Sequence, residues 1–320
     1  MIDLSPETLT VLMFVGLLVG LFMGHPLAFV LGGLAVIFGL VGWGPSVFYV
    51  FMNRIWGTMD NYVLLAIPLF IFMAQLLDRS GVAEGLFEAL RYLMGQIRGG
   101  IALAVIAVST VFAACTGIIG ASVVTMGLLA IPMMRRYKYN EELTYGAICA
   151  GGTLGILIPP SIMLVVMASE ATLSVGKLFA GAVFPGLILA FLYMGYIAIM
   201  CNLKPELGPP ISREERAQVT NAQVAMMVLK SLVPPMILIL GVLGSIFFGV
   251  ATPTEASGVG AFLSFLMVIA YRKFTWRGLY EAVMQTAKTT TMVILILCGA
   301  TCFTGVFLGI GGGDVVRILS

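Results

Sequence analysis

Long apolar runs separated by short polar breaks fill this chain almost from end to end. Asp3 and Glu7 precede the first run, Leu9–Gly24; a cleavable leader begins with basic residues, so this run reads as a retained membrane helix. Gly24-His25-Pro26 breaks the chain before a second short span, Leu27–Gly42. The stretch from Trp43 to Tyr62 mixes Trp43, Tyr49, Trp56 and Tyr62 with Asn53, Arg54, Asp60 and Asn61, a pattern that suits a helix lying in the headgroup region. Val63–Leu77 crosses again, and further spans are predicted at Leu143–Ser169, Leu178–Leu203, Ser231–Val250 and Ala256–Tyr271.

The polar positions orient these spans. Lys and Arg fall mainly into four clusters: Arg79, Arg91 and Arg98; Arg135, Arg136 and Lys138; Lys204, Arg213, Arg216 and Lys230; Arg272, Lys273 and Arg277. The excess of positive charge on cytoplasmic loops places all four on one face. Two spans separate the second cluster from the third, and two the third from the fourth, so the chain returns correctly. Between the first and second lies only the uncharged stretch from Gly99 to Met134. Two full crossings need about 20 residues each plus a turn, and a single crossing would put the second cluster outside. The consistent solution is a re-entrant hairpin, with arms Gly99–Ala114 and Ser122–Met134 and a tip near Thr116-Gly117. Such arms reach roughly 20–24 Å, short of a hydrocarbon core about 30 Å thick. Irregular backbone at that depth is tolerated only inside protein or along a polar cavity.

A second irregular element follows. Pro159-Pro160 interrupts the next span, removing two amide donors and biasing each preceding residue away from helix. The step Gly151-Gly152-Thr153 lies about 15 Å from the cytoplasmic end, a depth comparable with the hairpin tip. Two broken elements meeting near the midplane is the pattern of a secondary transporter's binding site.

Composition narrows the function. The 320 residues include 17 Lys or Arg, 15 Asp or Glu and one His, with 60% hydrophobic and 10% charged residues. Mean hydropathy is +1.07. So few charges cannot cover a water-soluble surface, so the bilayer is the solvent for most of the chain. A net charge of +2 without a basic run leaves nothing to neutralise a phosphate backbone, which excludes nucleic acid. One histidine and five scattered cysteines exclude an ordinary zinc site.

No catalytic constellation emerges. Gly311-Gly312-Gly313-Asp314 has the GxGD form of an intramembrane aspartyl protease, but Asp3, Asp60 and Asp78 lie at span ends or interfaces and supply no second aspartate. Ser122 lacks a base; His25, far away in sequence, reads as part of a helix break. Cys298 and Cys302 share a helix face without further ligands and read as packing. Glu255 invites a proton-relay reading, yet Thr252-Pro253-Thr254-Glu255 fits a capping box with Thr252 at the N-cap and Glu255 at N3. Glu170 and Lys177 read as a solvated periplasmic turn, with a contact to a binding protein as the lesser alternative.

Several segments, in order, resemble the large membrane subunit of tripartite ATP-independent periplasmic (TRAP) transporters: Ala66-Ile67-Pro68-Leu69-Phe70, the hairpin from Phe112 to Pro132, Ile158-Pro159-Pro160-Ser161, Thr252-Pro253-Thr254-Glu255-Ala256 and Thr289-Thr290-Thr291-Met292. The resemblance implies an all-α polytopic membrane protein of the elevator-type ion-transporter fold, multi-pass in a bacterial inner membrane. It implies sodium as the coupling ion, no cofactor, and two partners, a small membrane subunit and a periplasmic solute-binding protein. The cargo it implies is a small organic anion: a dicarboxylate, an oxo acid or a sugar acid. Two features depart from the family. Its hairpin tip is commonly Ser-Gly-Ser where this chain has Thr116-Gly117-Ile118, and Ser-Ser commonly precedes the shared threonine where Gly151-Gly152 precede Thr153. The family's second half repeats hairpin and broken helix in inverted orientation; this chain stops at Ser320 before either and reads as C-terminally truncated, with an incomplete second repeat.

Domain organisation follows from these expectations. Residues 1–98 read as N-terminal scaffold spans, 99–203 as a transport-type repeat with hairpin 99–134 and broken helix 143–169, 204–281 as connecting spans and 282–320 as the start of the second repeat. Within the repeat, Gly117, Gly120, Gly152 and Gly155 permit close backbone approach, while Thr116, Ser122, Thr125 and Thr153 offer hydroxyls. Thr116, Gly117, Gly152 and Thr153 are the expected sodium ligands, with Pro159, Pro160 and Ser161 completing the site and a substrate carboxylate facing half-helix N-termini. The bland alternative is that the small residues only permit tight helix packing. A one-component sodium/anion symporter of related fold is the second functional reading. A structural scaffold is the third, and leaves the hairpin unexplained.

Overall fold

A computed structural model describes residues 5–117, 119–211 and 219–319. Ile118 at the expected hairpin tip, and Arg213 and Arg216 of the third basic cluster, therefore lie outside the described residues. Every regular element among the described residues is helical: α1 Pro6–Phe22, α2 Leu27–Trp43, α3 Val47–Met59, α4 Ala66–Arg79, α5 Val82–Met94, α6 Gly100–Thr116, α7 Ile119–Arg136, α8 Glu141–Leu157, α9 Ile162–Glu170, α10 Val175–Leu203, α11 Asn221–Phe247, α12 Pro253–Ala270, α13 Trp276–Gly309 and α14 Gly312–Leu319. Seven helical stretches among the described residues are long and apolar enough to cross a membrane, α2 with α3 counting as one and α8 with α9 as another; α1 and α6 are shorter apolar helices.

The chain divides into two compact units, Met1–Asn61 with Ala287–Ser320, and Tyr62–Thr286. In the first, the hydroxyl oxygen of Ser5 caps α1 by accepting the Thr8 N–H. The core gathers Leu9 and Met13 of α1, Leu31 and Ala35 of α2, Val47 and Phe51 of α3, and Phe303 and Val306 of α13. The edge of the Trp43 ring abuts α13 where a Cβ on Gly309 would be 1.7 Å from it, so only glycine admits this contact. The aromatic stretch does form a helix, α3. Val47, Phe51 and Thr58 are buried on one side, and Tyr49, Met52 and Trp56 are exposed on the other.

The second unit is built around α6. Its residues from Gly100 to Val105 are all buried, and α4, α5, α7, α8, α10 and α11 pack on it. A helix enclosed on all sides has no polar face to present, so the run Ile101–Val108 is apolar throughout. At its start the Tyr139 phenol oxygen accepts the Ile101 N–H (3.1 Å), satisfying a helix-terminal donor that has no partner within its own helix. Burial raises the pKa of that phenol, so it stays protonated. Arg135 ties the base of the hairpin to α8, donating to the Tyr145 hydroxyl (2.9 Å) and lying 3.7 Å from Glu141.

Two helices of this unit, α5 and α11, depart from the sequence expectation. The basic stretch after α4, read only as a loop, contains α5. Its Val82, Ala83, Leu86, Phe87 and Arg91 face inward while Glu84 and Glu88 face outward, an amphipathic period too short and too charged to register as a span. α11 starts at Asn221, well before the expected Ser231, because Thr220 and Gln223 form a capping box there. At α12, Thr252 and Glu255 form another: the Thr252 hydroxyl accepts the Glu255 N–H (3.3 Å) and the Glu255 carboxylate accepts the Thr252 N–H (2.8 Å).

Candidate functional site

The hairpin turns at Gly117. This residue sits in the left-handed region (φ 61°, ψ 11°), and its N–H closes α6 by donating to the Ala113 carbonyl at 3.2 Å. A Cβ here would fall 2.8 Å from the Pro160 carbonyl oxygen and 3.3 Å from the Ser161 Cα. Gly117 is therefore required twice, by its dihedrals and by the backbone pressed against it. The tip of the hairpin touches the interruption between α8 and α9.

Buried hydroxyls surround that contact. Thr116 is 2% exposed and Ser122 fully buried; their oxygens are 2.8 Å apart in a hydrogen bond across the base of the tip. Ser161 is also fully buried, and its hydroxyl has no hydrogen-bond partner among the described residues. It stands at the N-cap of α9 in extended conformation without capping it. A buried hydroxyl without a partner costs stability unless something absent from the protein itself engages it.

The interruption lies later than the glycines suggest. α8 runs unbroken through Gly151, Gly152, Thr153 and Gly155 to Leu157, and the chain leaves helix only at Ile158-Pro159-Pro160-Ser161. The Pro159–Pro160 peptide is cis. A glycine inside a helix costs about 1 kcal/mol, too little to break a helix whose backbone has no water to turn to. Proline removes the donor outright and forbids helix to its neighbour. The glycines instead admit neighbours: a Cβ on Gly151 would meet the Ser109 hydroxyl at 2.6 Å, and one on Gly152 would meet Val123 at 2.1 Å. α8 thereby lies against both hairpin arms, which is the packing role of small residues in membrane helices. The expectation of unwound backbone at Gly151–Gly155 is corrected accordingly.

The remaining predicted residues separate. Thr153 turns its hydroxyl back on its own helix, donating its hydrogen to the Ala150 carbonyl at 2.7 Å. Gly155 is buried within α8, and Gly120 is exposed on α7 with open space where a Cβ would go. Pro159 and Pro160 are both buried beneath the tip. Thr125 faces away from the tip cluster's hydroxyl pair to a partner sequence reasoning did not supply: it donates to the Asp78 carboxylate at 2.5 Å. In the sequence, Asp78 reads only as the end of a span. No local signal pairs an aspartate on α4 with a threonine on α7, since only the tertiary packing brings them together.

The chemistry available at the tip is that of neutral oxygen. Among the described residues no group of three His, Cys, Asp or Glu side chains is placed to hold a metal. Hydroxyls and carbonyls are the donors that suit a hard cation. The helix poles add direction. α6 and α8 end here with carbonyls, the negative pole, whereas α7 and α9 begin here with N–H groups, the positive pole. One small volume therefore offers partial negative charge to a cation and partial positive charge to an anion.

Comparison with known proteins adds an independent line. Residues 12–317 match the family model of the tripartite ATP-independent periplasmic transporter, DctM component. The chain is similar to the C4-dicarboxylate TRAP transporter large permease protein of Pseudomonas aeruginosa, 35% identical over 256 residues, which cover 79% of this chain and 58% of the relative. It is similar to the sialic acid TRAP transporter large permease protein of Vibrio cholerae, at 31% identity over 88% of this chain and 64% of the relative. A third relative, the isethionate TRAP transporter permease protein of Oleidesulfovibrio alaskensis, is 31% identical over 88% of this chain and 44% of its own length. The chain thus spans less than two thirds of the length of each of these relatives.

Proposed function

The chain belongs to the DctM-component family of TRAP transporters, an all-α, multi-pass inner-membrane family, and on that premise we propose that it carries the large-permease function of a sodium-coupled importer of a small organic anion. It works with a small membrane subunit and a periplasmic solute-binding protein, by an elevator-type alternation of access. The observation that supports this reading is the seating of the hairpin tip on the Pro159-Pro160 interruption, with the unpartnered Ser161 hydroxyl buried beside it.

In this reading the sodium ion sits between Thr116, Gly117 and Ser161, taking hydroxyl oxygens and the carbonyls left open where α6 and α8 stop. The carboxylate of the cargo lies across the ion, toward the N-termini of α7 and α9. Gly152, Thr153 and Gly155 then serve by holding α8 against the hairpin, and Pro159 and Pro160 by ending it. The relatives' names carry a C4-dicarboxylate, sialic acid and isethionate, all organic anions, which fits a site with no fixed acid of its own.

Reconstitution of the subunit with both partners in proteoliposomes tests the proposal. Uptake of labelled organic acids should require an inward sodium gradient and the binding protein together. Uptake that persists without a sodium gradient sinks the coupling; uptake that persists without the binding protein points to a one-component symporter instead.

A further inference from the structure

Between α8 and α10 the second unit leaves a cleft of about 710 Å3. Its floor is made of the small residues Gly146, Ala147 and Ala150 of α8, with Ile106 of α6 behind them. Its wall is a stripe of α10, Leu189, Leu192, Tyr193, Tyr196 and Met200, at the three- and four-residue spacing that keeps side chains on one helix face. A Cβ on Gly146 would meet nothing within 4 Å, so the floor opens directly into the cleft. The outer lip is exposed, Leu192 by 62% and Tyr196 by 61%, on a helix long and apolar enough to cross the membrane.

The cleft has a length and a direction. From Leu189 to its end at Leu203, just before Lys204, α10 rises about 21 Å, close to half the thickness of a bilayer with its headgroups. Lys204 belongs to a basic cluster that the positive-inside rule sets at the cytoplasmic surface, so the cleft descends from that headgroup level toward the bilayer centre.

Its polar end carries three polar side chains. Lys204, Glu142 and Asn140 line it together. Neither the Lys204 ammonium nor the Glu142 carboxylate forms an ion pair among the described residues. Asn140 uses its side-chain oxygen to accept the Leu143 N–H at 3.0 Å, which leaves its N–H groups to donate outward. One cation, one anion and an amide donor at the headgroup level, above an apolar slot one leaflet deep, complement a zwitterionic lipid. The anion must be a phosphate, facing Lys204 and Asn140, and the cation must be a primary ammonium able to donate to Glu142.

We propose that this cleft is a binding site for a phosphoethanolamine-headed phospholipid of the cytoplasmic leaflet, its acyl chain lying along α8 and α10. A trimethylammonium headgroup cannot hydrogen-bond Glu142, and an anionic glycerol headgroup leaves that carboxylate facing no positive charge. The lipid would lie directly behind the hairpin arm that carries Ile106.

Native mass spectrometry of the detergent-purified chain, titrated separately with dioleoyl phosphatidylethanolamine, phosphatidylcholine and phosphatidylglycerol, tests this. A single phosphatidylethanolamine should be retained, preferred over the other two by about fivefold, the scale of an exposed ion pair. Glu142→Gln should bring phosphatidylcholine to parity, Lys204→Ala should weaken retention of all three, and Ala150→Leu should block the slot. Glu142 and Lys204 are exposed, so those two variants keep the fold even where the filled slot does not. Equal retention of the three lipids, no retained lipid, a preference for phosphatidylglycerol, or a preference unchanged in both headgroup variants overturns the proposal.

Discussion

Gly117 combines two constraints that many other glycines carry singly. Gly151 and Gly152 in α8 and Gly309 in α13 are required only for approach, and Gly24 and Gly44 only for positive φ. At Gly117 a methyl group would meet both a left-handed backbone and the Pro160 carbonyl. Gly117→Ala should therefore lower stability by at least about 2 kcal/mol, read as a lower melting temperature in detergent. A variant that melts with the parent would show that the tip is not seated on the interruption. Thr125 makes a separate point at the same scale. Thr125→Val removes the donor to Asp78, a charge-assisted bond worth about 1–3 kcal/mol. Asp78→Asn, which keeps an acceptor, should cost less, and the double change should be no worse than Thr125→Val alone. Additive losses in the melting temperature would deny the pairing.

At the scale of elements, the sequence was legible where physics acts locally. Apolar runs marked most helices, and Thr252 with Glu255 announced the start of α12 four residues at a time. The hairpin was legible for a different reason: two basic clusters flanking an uncharged stretch too short for two crossings. What was not legible depended on neighbours. α5 hides its inward face only once α6 and α11 exist to receive it. Gly151 and Gly152 look like a break until Ser109 and Val123 are seen filling the space that side chains would take. The two prolines carried the local signal that decided the matter. Tyr139 is a further case, because its value lies in the Ile101 N–H it satisfies across the hairpin base. Tyr139→Phe should leave that donor unpaired and cost about 1–3 kcal/mol, with faster amide exchange at the start of α6. Unchanged protection there would mean the phenol is dispensable.

For the whole molecule, the family and the geometry bear on different questions. Family membership rests on a match along residues 12–317. The proposed coupling rests on one small region, where the hairpin tip, the proline interruption and three buried hydroxyls meet. Those hydroxyls differ in what they are free to do: Thr116 and Ser122 bond each other, whereas Ser161 is left over. If sodium is what Ser161 awaits, its removal should harm ion affinity while sparing the fold, since no internal bond is lost. The most direct measurement is the sodium concentration giving half-maximal uptake in proteoliposomes for the reconstituted subunit and its Ser161→Ala variant. The account predicts a rise of about tenfold, the loss of one oxygen ligand, with the melting temperature in sodium-free buffer no lower than the parent's. An unaltered sodium requirement in a folded, transporting Ser161→Ala protein would contradict it.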